Sequence, residues 1–375
     1  MLVLALAGAA CGGSSDGPPA NGVAAPTSIV EAAAPPSSSS TTTRPCQPAP
    51  LQDRAATVLA VGIHNATAAE APVAASVASL GLGGVLLLGT NIVHADQARA
   101  LIAGLRERSP RGLLVAVDEE GGRVSRLRPI LGRTPSARTL GQRALADIAT
   151  VAAERGGVLR DLGFDLVLAP VVDADGGPAG GAVGDRAFGT TPAEAGPRAA
   201  AFAEGVQRAG VAATAKHFPG QGGLPDSHDG QVISETPLAR LRADAIAAFG
   251  PVFDAGVGAV MMSHVTYRAL GPLPASLEPA AYELLRSLGF GGVAITDAVG
   301  MEAIVEQWSL PEATVLALNA GADLVLATPG DKAAAMRDGL VAAVADGRLP
   351  ESRLDEAAGR VLALRGEDPA AMVCR

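Results

Sequence analysis

Residues 212–228 read AATAKHFPGQGGLPDSH. The first residues are small and apolar, too few for a helix and suited to a strand buried on both faces. The run ends on two basic side chains, Lys216 and His217, and opens into a loop dense in Gly and Pro. The same grammar, an apolar run closing on a polar residue, recurs in both directions along the chain. Strands are expected near Val58–His64, Gly84–Leu88, Leu113–Asp118, Asp165–Pro170, Ala212–Lys216, Ala259–His264, Val293–Asp297 and Asp323–Ala327. Ala-rich stretches of helical length separate them, such as Pro192–Ala209 and Pro237–Ala255, several opened by an early Pro. Eight βα units predict an α/β fold, a single TIM-type (β/α)8 barrel over residues 51–375. A doubly wound sheet is the alternative, and regular spacing favours closure.

Residues 1–50 have a different composition. Met1–Ala10 (MLVLALAGAA) is apolar and too short to span a bilayer as a helix. Small residues lead to Cys11, as at the end of a lipoprotein signal in which the Cys is lipidated. Residues 12–50 are rich in Ser, Thr, Pro, Ala and Gly, which bury too little apolar surface to offset their ordering entropy; they read as a disordered tether. These features predict an exported chain lipid-anchored to the cell envelope, with membrane contact only through that anchor. Of the three cysteines, Cys46 and Cys374 then remain at the two ends of the folded region. A closed barrel brings its ends together, and disulfides persist outside the cytoplasm, so these two are expected to pair.

The chain carries a formal net charge of -9 and no basic cluster, which argues against nucleic acid as a partner. The polar residues at strand ends are more telling: Asp118, Asp173, Lys216, His217, His264 and Asp297. In a closed barrel the C-terminal strand ends form one face, where catalytic groups converge. On the loop after the fifth strand, Asp226 stands two residues before His228. A carboxylate beside an imidazole orients the ring and stabilises its protonated form. Three more segments stand out: VDEEGGRVSR (117–126), GDRAFG (184–189) and AITDAVGM (294–301).

Together these segments resemble glycoside hydrolase family 3 over about residues 51–365, and within it the single-domain β-N-acetylglucosaminidases. That branch carries its acid/base as the His of an Asp–Ser–His triplet, here Asp226–Ser227–His228. The resemblance implies Asp297 as nucleophile, His228 as acid/base and Asp226 as its orienting partner. It implies Asp118, Arg126, Arg186, Lys216 and His217 as sugar contacts. His264, from its strand-end position, is a further candidate for substrate binding, against the favoured reading of His64 and His264 as satisfied strand-end histidines that line the pocket floor. Gln221 stands where a His is common in the family, and Ala298 where a second Asp often follows the nucleophile. The implied reaction is removal of terminal β-linked N-acetylglucosamine with retention, plausibly from peptidoglycan-derived fragments, by a monomer without cofactor. Phosphate in place of water as acceptor, a β-glucosidase on the same site, and a tethered sugar-binding lipoprotein are the alternatives.

Other chemistries fit less well. His64, His217, His228 and His264 could share one face, but neither an HxH pair nor HExxH is present. GLGGV at 81–85 lacks the dinucleotide fingerprint. Ser227 lacks a nucleophile-elbow setting.

Overall fold

The computed structural model describes residues 47–374. The expected signal segment, Cys11, the tether up to Cys46 and Cys46 itself lie outside them. Eight strands form one parallel sheet: β1 (Leu59–Gly62), β2 (Gly84–Leu87), β3 (Leu114–Val117), β4 (Leu166–Val167), β5 (Ala212–Phe218), β6 (Ala259–Met262), β7 (Val293–Thr296) and β8 (Val325–Ala327). Each pairs with its neighbours in sequence, and β1 also pairs with β8. The ring closes between β7 and β8, where Thr296 N–H donates to Leu324 O at 3.1 Å and Val299 N–H to Leu326 O at 2.8 Å. The expected barrel and all eight strand positions are therefore present.

A helix follows each strand: α1 (Pro72–Ser79), α2 (Ala95–Arg108), α3 (Leu145–Leu162), α4 (Pro192–Arg208), α5 (Leu238–Asp244), α6 (Pro279–Ser287), α7 (Leu310–Ala320) and α8 (Ala333–Ala345). Local chemistry sets several of their ends. Pro192 opens α4, where a missing N–H costs nothing. Ser309 and Glu312 form a reciprocal capping box on α7. Among the described residues no helix is long and apolar enough to cross a membrane.

The strands are buried on both faces, as their near-continuous apolar character requires. Their outer faces join the helices in one large apolar core. Their inner faces form a second cluster that includes Leu86, Leu114, Leu168, Met261, Ile295 and Leu326. A final helix, α9 (Glu351–Leu364), packs Val361 and Leu364 against that inner cluster and so closes the lower mouth. Polar access is left to the opposite mouth, at the C-terminal strand ends.

Ala49 N–H donates to Met372 O at 2.9 Å, so the two ends of the described chain run together. Cys374 is disulfide-bonded. If Cys46 is its partner, peptide mapping of the oxidised protein will recover the segments holding Cys46 and Cys374 as one species that separates on reduction.

At the lower mouth, fully buried Asp323 accepts from Arg286 (2.6 Å), Arg353 (2.7 Å), Arg360 (2.9 Å) and Ala294 N–H (2.9 Å). One carboxylate thus ties the start of β8 to β7, α6 and α9. Removing a buried partner leaves uncompensated charge, so Asp323→Ala is expected to cost about 3–5 kcal/mol in denaturant unfolding. Asp346→Ala, which breaks an exposed pair with Arg348, should leave the unfolding midpoint almost unchanged.

Candidate active site

The upper mouth holds a cavity of about 250 Å³ whose walls include Asp118, Glu120, Arg186, Lys216, His217 and Asp297. Its floor is the top of the apolar interior, with Leu86, Leu168, Met261 and Leu326. Asp226 and His228 stand at its rim.

The charged wall is built from three strand ends. After β3, the chain turns back in a two-stranded ribbon, Glu119–Gly121 against Val124–Ser125. Gly121 sits at φ 94°, and a Cβ there would lie 2.5 Å from Pro135 O, so the tight turn excludes a side chain. Alternation along the extended chain sends Asp118 and Glu120 into the cavity and Glu119 the other way. Glu119 accepts from Ser125 Oγ (2.9 Å) and Leu127 N–H (3.0 Å), which fastens the ribbon from behind.

Lys216, at the end of β5, puts its ammonium 2.8 Å from Asp118 and 2.7 Å from Glu120. Glu120 in turn takes a bidentate pair of bonds from Arg186, at 2.8 and 2.9 Å. Burial alone would raise the Glu120 carboxyl, but Lys216 and Arg186 hold it well below the usual carboxylate range. Burial alone would lower Lys216, but Asp118 and Glu120 hold it above the ordinary lysine value. Glu120 and Lys216 are therefore both ionised at neutral pH, and Asp118, Glu120, Lys216 and Arg186 all line the cavity.

His217 follows Lys216 across a cis peptide, and the pairing with β6 shifts register between Lys216 and Phe218. Lys216 and His217 both line the cavity. Asp173, buried after β4, binds His217 Nδ1 (2.7 Å) and backbone N–H (3.2 Å) and accepts Gln221 N–H at 2.6 Å. With Nδ1 donating to Asp173, the other ring nitrogen lies 3.3 Å from Arg186 Nη2. Arg126 approaches Asp118 at 3.9 Å, and its Nε is buried with no acceptor among the described residues, a donor with capacity for a ligand oxygen.

Asp297 ends β7. Burial would raise its carboxyl, but His264, His217, the Ala298 N–H (2.7 Å) and Lys216 together hold it below the ordinary aspartate value. It is an ionised, half-buried carboxylate at the base of the cavity. On the loop after β5, His228 is exposed and Asp226 half-buried. Asp226 Oδ1 binds His228 Nδ1 at 2.7 Å and its backbone N–H at 3.0 Å. Burial would raise Asp226, but these two bonds hold its carboxyl below the usual value. Among the described residues nothing bonds His228 Nε2, and His228 stands at the cavity rim.

The loop is rooted by a close approach: a Cβ on Gly222 would lie 1.9 Å from Ala174 O. Ser227, between the two rim residues, is buried, and its turn packs against the one-turn helix Glu302–Val305 that follows β7.

These features can be set beside known proteins. A family model described as the glycosyl hydrolase family 3 N terminal domain matches residues 51–364. The chain belongs to glycosyl hydrolase family 3. Beta-hexosaminidase LpqI of Mycobacterium tuberculosis is 38% identical over 331 residues, 85% of this chain and 83% of that one. A solved family 3 glycosyl hydrolase of Mycobacterium smegmatis superposes with a TM-score of 0.77 at 36% identity, covering 84% of this chain and 97% of that one. A family 3 beta-N-acetylglucosaminidase from Paenibacillus gives a TM-score of 0.80 at 32% identity, covering 87% of this chain and 64% of that one. The enzyme is thus a glycoside hydrolase.

The cavity gathers Asp118, Arg126, Arg186, Lys216, His217, Asp226, His228 and Asp297 from the expected set. His264 is placed differently from its expected sugar contact: it is 1% exposed and lies behind the wall with both ring nitrogens engaged. Its strand end points between β6 and β7 instead of into the mouth. His64, also at a strand end, is exposed and outside the cavity lining. Gln221 is buried at the root of the loop, tied to Asp173 and Ser263. Glu120 is the residue that sequence reasoning passed over. Its signal was present, since it lies two positions beyond Asp118 and so on the same side of an extended segment. Arg123 was also missed; it pairs with Asp185 at 2.8 Å and clasps the 181–183 loop through its carbonyls.

Glu120→Gln removes the negative charge shared by Lys216 and Arg186. We expect KM for the sugar to rise by about tenfold or more, the scale of one lost charged hydrogen bond, with kcat changed much less. Steady-state kinetics with a nitrophenyl glycoside reads the split.

Proposed function

We propose that the enzyme is a retaining exo-β-N-acetylglucosaminidase in which Asp297 is the nucleophile and His228, oriented by Asp226, is the acid/base. The observation that carries this reading is the contrast between the two groups at one cavity. Asp297 is half-buried at the base of the cavity and held ionised, whereas His228 is exposed and bound through Nδ1 by a carboxylate at 2.7 Å, with Nε2 unpaired among the described residues. Relatives named as beta-hexosaminidases support the sugar class.

In the first step Asp297 attacks the anomeric carbon while His228 Nε2 gives its proton to the departing oxygen, leaving a glycosyl ester on Asp297. In the second, neutral His228 takes a proton from water, which attacks the same carbon and releases the sugar with its β configuration retained. Asp118, Glu120, Lys216, Arg186, Arg126 and His217 ring a cavity closed at its base, a shape suited to one terminal sugar. The leaving group then lies toward the rim beside His228. For an exported, lipid-anchored enzyme, the substrates would be peptidoglycan-derived fragments ending in N-acetylglucosamine. The reading calls for no cofactor.

His228→Ala separates the roles. Dinitrophenolate leaves without protonation, so the first step on that substrate should survive. A sugar leaving group should slow by roughly two to four orders of magnitude. Equal losses on both substrates would assign His228 to binding or structure. Parallel assays on the β-glucoside, and with added phosphate, decide sugar preference and acceptor. Faster turnover with phosphate, and a sugar phosphate as product, would make the enzyme a phosphorylase.

A further inference from the structure

His264 has no part in the steps above, yet its hydrogen bonds lead to the nucleophile. Its Nε2 lies 3.0 Å from Ala298 O, and a carbonyl only accepts, so Nε2 carries the proton. Its Nδ1 lies 2.7 Å from Ser276 Oγ. Ser276 is itself immobilised: its N–H donates to Ser263 O at 2.9 Å, and its carbonyl accepts from Tyr282 Oη at 2.7 Å. The Ala298 backbone is gripped on both sides of its Cα. Its oxygen takes His264 Nε2–H and Met301 N–H (2.9 Å), and its N–H donates to Asp297 Oδ1 at 2.7 Å.

We propose that His264 is a positioning residue for the nucleophile: as a neutral imidazole protonated on Nε2, it holds the Ala298 carbonyl and so fixes the backbone torsions of Ala298, whose N–H orients and stabilises the Asp297 carboxylate. The proposal rests on the reading of Asp297 as nucleophile. Burial pushes His264 below its usual value, which keeps the ring neutral. The titratable groups facing it are Asp297 from β7, His217 from β5 and His228 from the loop beyond. A protonated ring would lose the Ser276 O–H donation to Nδ1 and sit fully buried with its charge. The arrangement also accounts for a small residue after the nucleophile, since the Ala298 backbone does the work.

Two variants and one spectrum test this. In His264→Gln the amide Nε2–H can reach Ala298 O; in His264→Leu it is gone. With a dinitrophenyl leaving group, which bypasses His228, the Leu variant should lose about 10- to 100-fold in the first-step rate through misplacement of the nucleophile. Its KM should change little, and the acid limb of kcat/KM should move to higher pH, because the Ala298 N–H is held less firmly against the ionised Asp297. The Gln variant should recover most of the rate and the limb. A folded Leu variant with wild-type rate and limb overturns the proposal, as does equal loss in both variants, which would make the effect one of packing. If neither variant folds, ¹⁵N shifts of the His264 ring in the wild type still decide. An Nε2–H tautomer at pH 7 is expected, and an Nδ1–H tautomer or imidazolium overturns it. Labelling the wild type with a 5-fluoro-N-acetylglucosaminyl fluoride, followed by peptide mass mapping, tests the nucleophile separately. Label on Asp297 together with a silent Leu variant overturns the positioning role alone, and label elsewhere overturns both.

Discussion

Lys216 carries its ammonium to the end of β5, where its side chain is almost wholly shielded, and stands between the carboxylates of Asp118 and Glu120. A charge in that position is tolerable only if it is matched within hydrogen-bonding distance. Lys216 is matched by two carboxylates from the β3 end, and Glu120 is matched again by Arg186 from the loop after β4. Strands β3 and β5 and the intervening loop are therefore held at one spacing by a chain of ion pairs. The cavity wall is a consequence of that spacing. With its charges already balanced, the cluster can offer directed donors and acceptors to an uncharged, hydroxyl-rich ligand without gathering a counter-ion.

The same economy governs the remaining polar groups of the mouth. Asp173 serves His217 and the root of the rim loop at once. Asp297 draws on the Ala298 N–H and the nearby Lys216, which keep a half-buried carboxylate ionised. Asp226 and His228 lie in a wetter setting at the rim, where the reading proposed above has the ring exchange protons. The two halves of the chemistry thus differ in environment as much as in residue type. Their elements meet through the buried Ser227 turn and the one-turn helix after β7, so the rim loop and the nucleophile strand share a contact.

At the opposite mouth the barrel is sealed by α9 and by Asp323 with its three arginines. That face is spent on stability, which leaves the upper face free to carry polar groups that a packed core would reject. Division of the two mouths between stability and chemistry follows from parallel strands, since all eight C-terminal ends point one way.

Much of this was determined by the sequence alone. Eight apolar runs at helical separations allow little besides a closed parallel barrel, and polar residues at the ends of those runs must share a face. Asp118, Lys216, His217 and Asp297 were legible on that ground, and the Asp226–His228 pair from its spacing. Only the tertiary structure decided the rest. Whether a strand-end residue enters the cavity or turns between strands depends on its rotation about the strand, which pairing register and neighbouring loops set. His264 consequently passed from expected sugar contact to a group behind Ala298. Glu120 became central because Arg186, sixty-six residues away in the chain, folds onto it. A sequence orders residues along one dimension, whereas charge matching is settled between segments distant along the chain.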